Sequence, residues 1–279
     1  MKQYIAAVCT IFLSITLFAQ TPAIQVKTTG KGQPVFLLPG FTCPGAVWDE
    51  TVSKLKGNHQ FLQVSYAGFG GQAPIETPWY ETIKKELMTY IAGNKLSGVT
   101  IIGHSMGGTL ALDLAADLPA GVVKNIVVVD GLPCMRAVMM PGVSGDQLQY
   151  KSPYNDQLIA MKEEPFLKNA QMYAKQMTNV ESKQAVLTDY AVKADRKTYV
   201  YGYTDLLKMD IRPSLSRIKV PALILAASFP NKDMVEKTMT SQFESLPNKT
   251  IEIVPDSRHF IFFDQADWFY NRINTFLNK

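Results

Sequence analysis

Histidine and cysteine are scarce in this chain, which has three of each among its 279 residues. The histidines lie far apart and no two cysteines have C-x-x-C spacing, so we expect neither a metal ion nor a cofactor. The charge excess is also small, because 28 Lys and Arg against 24 Asp and Glu give a net charge of +4. Without a basic run, this balance argues against nucleic-acid binding. Hydrophobic residues make up 47% of the chain, which excludes a disordered protein.

The one long hydrophobic run lies at the N-terminus. An apolar stretch from Ile5 to Phe18 follows Lys2 and precedes the small residue Ala19, the pattern of a signal peptide. The stretch is shorter than the ~20 residues that span a bilayer comfortably. We therefore expect residues 1–20 to be cleaved, the protein to be exported to the periplasm or beyond, and no stable membrane anchor to remain. An uncleaved anchor is the alternative.

Apolar runs alternate with helical patterns over residues 21–131 and again over residues 214–279, which predicts an α/β core with a mostly parallel sheet. No convincing strand occurs between them, in residues 132–213. Such a long helical insertion predicts a cap over the sheet. The predicted strands are 35–38, 61–64, 99–103, 126–129, 221–225 and 250–254. The predicted core helices are 46–56, 78–91, 106–118, 234–246 and 266–277, and those of the cap lie within 154–161, 164–177 and 187–207.

A short motif marks the candidate nucleophile. Gly103–Gly107 has the pattern Gly-x-Ser-x-Gly, with Ser105 at its centre, between a predicted strand and an Ala-rich predicted helix. A serine in this context sits on a sharp turn that exposes its hydroxyl at the carboxyl end of the sheet. The alternative is an incidental serine in a glycine-rich turn.

A serine hydroxyl needs a general base, and three histidines are available. His104 adjoins the nucleophile with its side chain expected to point away, and His59 lies in a polar loop. His259 follows the last predicted strand, which places it at the same end of the sheet as Ser105. We predict His259 as the base, following the order serine, acid, histidine.

Two aspartates lie between Ser105 and His259 in the chain and fit the position of the acid. Asp233 follows the strand at 221–225, and Asp130 closes the strand at 126–129. We favour Asp233 and keep Asp130 as the alternative. The oxyanion hole needs two N–H donors, for which we predict the backbone of Met106 and of Phe41, where Gly40 permits close approach.

Four segments resemble the α/β-hydrolase superfamily, in the group with a helical cap. Leu37–Phe41 is similar to its oxyanion loop, Tyr66–Gly70 to its Gly-x-Gly turn, Gly103–Gly107 to its nucleophile elbow and His259–Phe260 to its histidine loop. The resemblance spans about residues 33–277 and implies the α/β-hydrolase fold, a central, mostly parallel sheet flanked by helices with an inserted helical cap. The chain departs from the family where Pro39 replaces a usual histidine, and in a longer loop before Asp233.

The fold so implied places Cys43 and Cys134 after strands at the same edge of the sheet. In an oxidising compartment an even pair suggests a disulfide, and we favour one over the alternative of two buried thiols.

The expected function is hydrolysis of a carboxylic ester, or of a thioester or lactone, through an acyl intermediate on Ser105. One alternative is an aminopeptidase-like amide hydrolase, with Glu163 and Glu164 available to hold an amine. The other is a binding protein that has lost catalysis. We expect an uncharged or weakly polar small-molecule substrate, because methionines suit an adaptable apolar pocket. Loosely packed cap helices are the alternative explanation of these methionines. Seven of the twelve fall within the cap region: Met135, Met139, Met140, Met161, Met172, Met177 and Met209.

Overall fold

The computed structural model describes residues 21–278, so the predicted signal peptide lies outside the described residues. The core is one sheet with the strand order β1-β3-β2-β4-β5-β6-β7. Only β1 runs antiparallel to its neighbour, and the other pairs are parallel. The strands are β1 (Ile24–Gly30), β2 (Gln33–Leu38), β3 (His59–Tyr66), β4 (Val99–His104), β5 (Val123–Val129), β6 (Ala222–Ala227) and β7 (Lys249–Val254).

The central strands are apolar along their whole length because both faces of the sheet are covered. Every residue of β4 and of β6 is buried, as expected for parallel strands between two layers of helices. Neighbouring residues alternate between the layers. Ile101 and Ile126 pack into the core on one face, whereas Ile102 and Val127 pack into the core on the other.

Helices cover both faces of this sheet. Trp79, Leu87 and Leu110 join the core on one face, and Phe269 and Ile273 join that on the other. The flanking helices are α1 (Asp49–Lys54), α2 (Trp79–Gly93), α3 (Met106–Asp117), α9 (Lys232–Gln242), α10 (Ile261–Asp264) and α11 (Ala266–Leu277), with 3₁₀ turns at Gly45–Trp48, Gly145–Gln147 and Arg212–Arg217. The predicted α/β fold with a mostly parallel sheet is confirmed.

Between β5 and β6 the chain forms five helices, residues 136–208, here called the insertion. The helical pattern at 187–207 is broken in two, because Ala194 and Asp195 leave the helical conformation and the Asp195 carboxylate accepts from the N–H of Thr198, 2.7 Å away. A side-chain acceptor at this position caps a new helix. The helices are α4 (Arg136–Met139), α5 (Pro153–Ile159), α6 (Glu163–Met177), α7 (Glu181–Lys193) and α8 (Arg196–Lys208). None of the helices in residues 21–278 has the length and apolar character needed to cross a membrane.

The predicted disulfide is wrong, since Cys43 and Cys134 are both buried free thiols. Cys43 packs into the core beside Val35 and Trp48. Cys134 instead lies against α9, where Gln242 donates to its carbonyl oxygen at 3.1 Å and accepts from its N–H at 3.0 Å. Cys43 thus belongs to the core on one face of the sheet, whereas the backbone of Cys134 is held by α9.

The thiols supply a direct chemical test. Burial raises the pKa of Cys43 to about 12, so at pH 8 roughly one thiol in 10,000 is ionised and reactive. We expect iodoacetamide to modify neither cysteine of folded residues 21–279 without a reductant, and both after unfolding in guanidinium, as measured by mass spectrometry. If both stayed unmodified in guanidinium until a reductant was added, they would be bridged.

Candidate active site

Ser105 stands on a strained turn between β4 and α3. Its backbone has φ 54° and ψ −119°, a conformation that residues with a side chain rarely adopt. The turn is held because the Ser105 N–H donates to the carbonyl oxygen of Val129 at 2.8 Å. Strain maintained by surrounding structure is typical of functional positions.

The glycines two residues before and after Ser105 are required because there is no room for a side chain at either position. A Cβ at Gly103 would lie 2.0 Å from the carbonyl oxygen of Gly107, and a Cβ at Gly107 would lie 2.2 Å from that of Leu38. Both distances are far shorter than any real contact, and the opposing atoms are backbone. The Gly-x-Ser-x-Gly pattern therefore reflects the close approach of α3 to β2 and β4.

His259 meets Asp130, the alternative acid. The Nδ1 atom of His259 lies 2.6 Å from Oδ2 of Asp130, and the two side chains are 27% and 17% exposed. Asp130 follows the end of β5 in a left-handed conformation, φ 49°, which aspartate tolerates better than most residues. Its second oxygen, Oδ1, accepts from the N–H of Ala227 at 2.9 Å, so the end of β6 fixes the carboxylate.

Asp233, the acid that the sequence favoured, is elsewhere. It is exposed in the first turn of α9, whose start is fixed by Asn231 accepting from the Met234 N–H at 3.1 Å. The Asp233 side chain faces solvent beside Glu236. The preference for Asp233 over Asp130 is therefore wrong, since the structure pairs His259 with Asp130.

His104 contacts the histidine loop, a role that we did not predict. Its ring centroid lies 4.6 Å from that of His259, and its Nε2 lies 3.0 Å from the carbonyl oxygen of His259. Burial and then the neighbouring His259 lower the pKa of His104 well below its usual range, so the ring is neutral and Nε2 donates its proton to that carbonyl. The third histidine, His59, lies at the start of β3 and contacts Lys56.

The predicted oxyanion loop lies close to Ser105. A Cβ at Gly40 would lie 3.3 Å from the Ser105 Cβ and 2.6 Å from Nδ1 of His104, so only glycine fits there. Phe41 follows in the same loop, and Met106 opens α3. The N–H groups of a helix's first turn have no partner inside the helix, which leaves that of Met106 beside Ser105.

The insertion packs on this loop through aromatic rings. The Phe41 ring lies 5.8 Å from that of Tyr199 and 5.7 Å from that of Tyr203, both on α8. On the side of the core it contacts Phe69 and Trp79 at 4.9 and 5.9 Å. Among residues 21–278, no group of three His, Cys, Asp or Glu side chains is arranged to hold a metal ion.

Comparison with known proteins agrees with this architecture. The model of the Alpha/beta hydrolase family matches residues 35–272, which include every strand except β1 and the first two residues of β2. The chain belongs to the α/β-hydrolase family. The match also contains each residue of the candidate active site.

Several proteins are similar to this α/β hydrolase over almost its whole length. A pimeloyl-[acyl-carrier protein] methyl ester esterase of Aliivibrio fischeri is 25% identical over 267 residues, which are 93% of this chain and 99% of that protein. An N-formylmaleamate deformylase of Pseudomonas putida is 23% identical, covering 89% of this chain and 90% of its own length. The structure of an esterase from Exiguobacterium antarcticum superposes with a TM-score of 0.77 at 22% identity, covering 92% of this chain and 96% of that one.

Proposed function

We propose that this α/β hydrolase cleaves a carboxylic ester, with Ser105 as nucleophile, His259 as general base and Asp130 as the acid that orients it. The contact of 2.6 Å between His259 Nδ1 and Asp130 carries the proposal. A carboxylate at Nδ1 holds the proton on that nitrogen and leaves Nε2 as the basic atom. The methyl ester esterase activity named for the relatives supports an ester as substrate.

The proposed reaction has two halves. His259 Nε2 takes the proton of the Ser105 hydroxyl as its oxygen attacks the ester carbonyl carbon, and then gives the proton to the leaving alcohol. Water next attacks the acyl group, with His259 again as base, and releases the acid and free Ser105. In both halves the N–H groups of Phe41 and Met106 donate to the carbonyl oxygen as it becomes negative.

The two alternative functions receive less support. An aminopeptidase would need carboxylates to hold an amine, but Glu163 and Glu164 are exposed at the start of α6 and Glu164 pairs with Lys168 at 2.7 Å. A binding protein that had lost catalysis would be expected to lack a member of the triad, whereas this chain has Ser105, His259 and Asp130. Thioesters and lactones remain alternative substrates of the same mechanism. Export stays a prediction of the sequence.

An uncharged or weakly polar substrate fits the aromatic and thioether groups beside the oxyanion loop. Tyr203, which touches Phe41, donates from its hydroxyl to the Met139 sulfur at 3.3 Å. Met139 is 57% exposed, and Tyr154 and Tyr173 are also exposed on the insertion. Apolar surface of this kind favours acyl groups without charge, since a charged acyl group that it covered would lose its water without gaining a partner.

Hydrolysis of p-nitrophenyl esters of increasing chain length by residues 21–279 tests both proposals. We expect turnover of the esters, and a higher kcat/KM for p-nitrophenyl butyrate than for p-nitrophenyl hemisuccinate, an acyl group of equal chain length that bears a carboxylate. The matching butyryl p-nitroanilide separates esterase from amidase activity. Preference for the hemisuccinate would refute the apolar site, and cleavage of the anilide alone would refute the esterase.

A further inference from the structure

Asp264, a residue outside the proposed triad, joins two separate parts of the chain. It is the last residue of α10 and is partly buried. Its Oδ1 accepts from the hydroxyl of Thr178 and, at 2.9 Å, from the N–H of Asn179. Its Oδ2 accepts from the N–H of Arg258 at 2.7 Å. One carboxylate thus binds the turn between α6 and α7 of the insertion to the residue that precedes His259.

Two further hydrogen bonds cross the same boundary. The N–H of Phe260, which follows His259, donates to the carbonyl oxygen of Met177 at 3.0 Å. The side chain of Arg258 donates to the carbonyl oxygen of Lys175. The end of α6 therefore contacts the residues on both sides of His259, whose own carbonyl oxygen accepts from His104 at 3.0 Å.

The carboxylate suits this place because all its neighbours are donors. Thr178 is fully buried, and a buried hydroxyl or N–H without an acceptor is destabilising. Bonds from N–H groups to a charged carboxylate are also stronger than those between neutral groups. Asparagine would present one oxygen and one NH₂ group. Its NH₂ group would then face a donor, either the N–H of Arg258 or the donors of Thr178 and Asn179.

We infer that Asp264 is a positioning residue, which sets the orientation of the His259 loop by holding it against the α6–α7 turn of the insertion. The inference rests on the proposed role of His259 as general base. The same carboxylate accepts from the insertion and from the His259 loop. The position of the insertion and the alignment of His259 are therefore coupled.

Kinetics of Asp264→Ala and Asp264→Asn, with the best p-nitrophenyl ester, test the inference. Misplacing a catalytic group by about 1 Å costs on the order of a hundredfold in rate, so we expect kcat to fall about tenfold to hundredfold while KM changes less. Thr178→Val should also lower kcat, whereas Thr178→Ser, which keeps the hydroxyl, should have the kcat of the parent. The exposed Asp267 supplies the control, since Asp267→Asn should leave kcat unchanged.

Amide hydrogen exchange separates this inference from the proposed function. Asp264→Ala leaves the acceptor of the Phe260 N–H in place, yet we expect that amide to exchange at least about tenfold faster, because the turn carrying Met177 is released. The α11 amide of Phe269 should keep its protection. Unchanged exchange at Phe260, or a kcat equal to that of the parent, would overturn the inference. If the parent protein had no esterase activity but the Phe260 amide still lost protection in Asp264→Ala, the proposed function would be refuted. The hold of Asp264 on the His259 loop and the α6–α7 turn would then stand by itself.

Discussion

Replacement of Ser105 by alanine should lower kcat for p-nitrophenyl ester hydrolysis by roughly 10⁵- to 10⁶-fold, the loss typical of a serine nucleophile. Without the hydroxyl no acyl intermediate forms, and the remaining rate comes from water and the oxyanion N–H groups. Stability should not fall, because alanine keeps the Cβ and the backbone at φ 54° is no more strained than with serine. The measurements are kcat and the thermal midpoint of both proteins.

Covalent labelling supplies the control for this loss. A fluorophosphonate should add one phosphonyl group to the parent protein at Ser105 and none to Ser105→Ala, as shown by peptide mass spectrometry. Ser241→Ala is a matched variant, since Ser241 is exposed on α9, and it should keep both activity and labelling. Equal ester hydrolysis by the parent and Ser105→Ala would show that the nucleophile is another group.

The sheet was predictable to the extent that its strands are buried on both faces. Segments such as the one at 221–225 are apolar throughout because helices cover them on both sides. β1 was missed because it lies at the sheet edge, and of its seven residues only Ile24 is buried. An edge strand held by one neighbour through backbone bonds needs few apolar side chains, so it leaves little trace in the sequence.

Within the site, the local motif and the elimination of other histidines were sufficient to nominate Ser105 and His259. The acid could not be chosen this way, because two strand ends offered an aspartate at the same edge. What decides between them is three-dimensional: β5 pairs with β6 so that Val129 lies opposite Leu225, and Asp130 then meets the Ala227 N–H and His259. The disulfide failed for a similar reason, since sequence order does not reveal that Cys43 packs into the core of one sheet face while Cys134 lies against α9.

Asp130→Asn should lower kcat about 10⁴-fold, the loss typical when asparagine replaces the aspartate of a triad. Oδ1 accepts from the N–H of Ala227, so an asparagine at this position keeps its oxygen there and turns its NH₂ group towards His259. That group donates to Nδ1 and leaves the imidazole proton on Nε2, where it blocks removal of the Ser105 proton. We expect ¹⁵N NMR of the histidine ring to show this exchanged tautomer.

Asp233→Asn is the matched variant, because it makes the same chemical change at the acid that the sequence favoured. Asp233 is exposed on α9, and surface substitutions away from a site usually have small effects, so kcat should stay at the parent value. If Asp233→Asn lost activity and Asp130→Asn kept it, Asp233 would have to reach His259 in the working enzyme, and the loop before α9 would have to move. Loss in Asp130→Asn alone assigns the acid to the end of β5, where the sheet itself holds the carboxylate through Ala227.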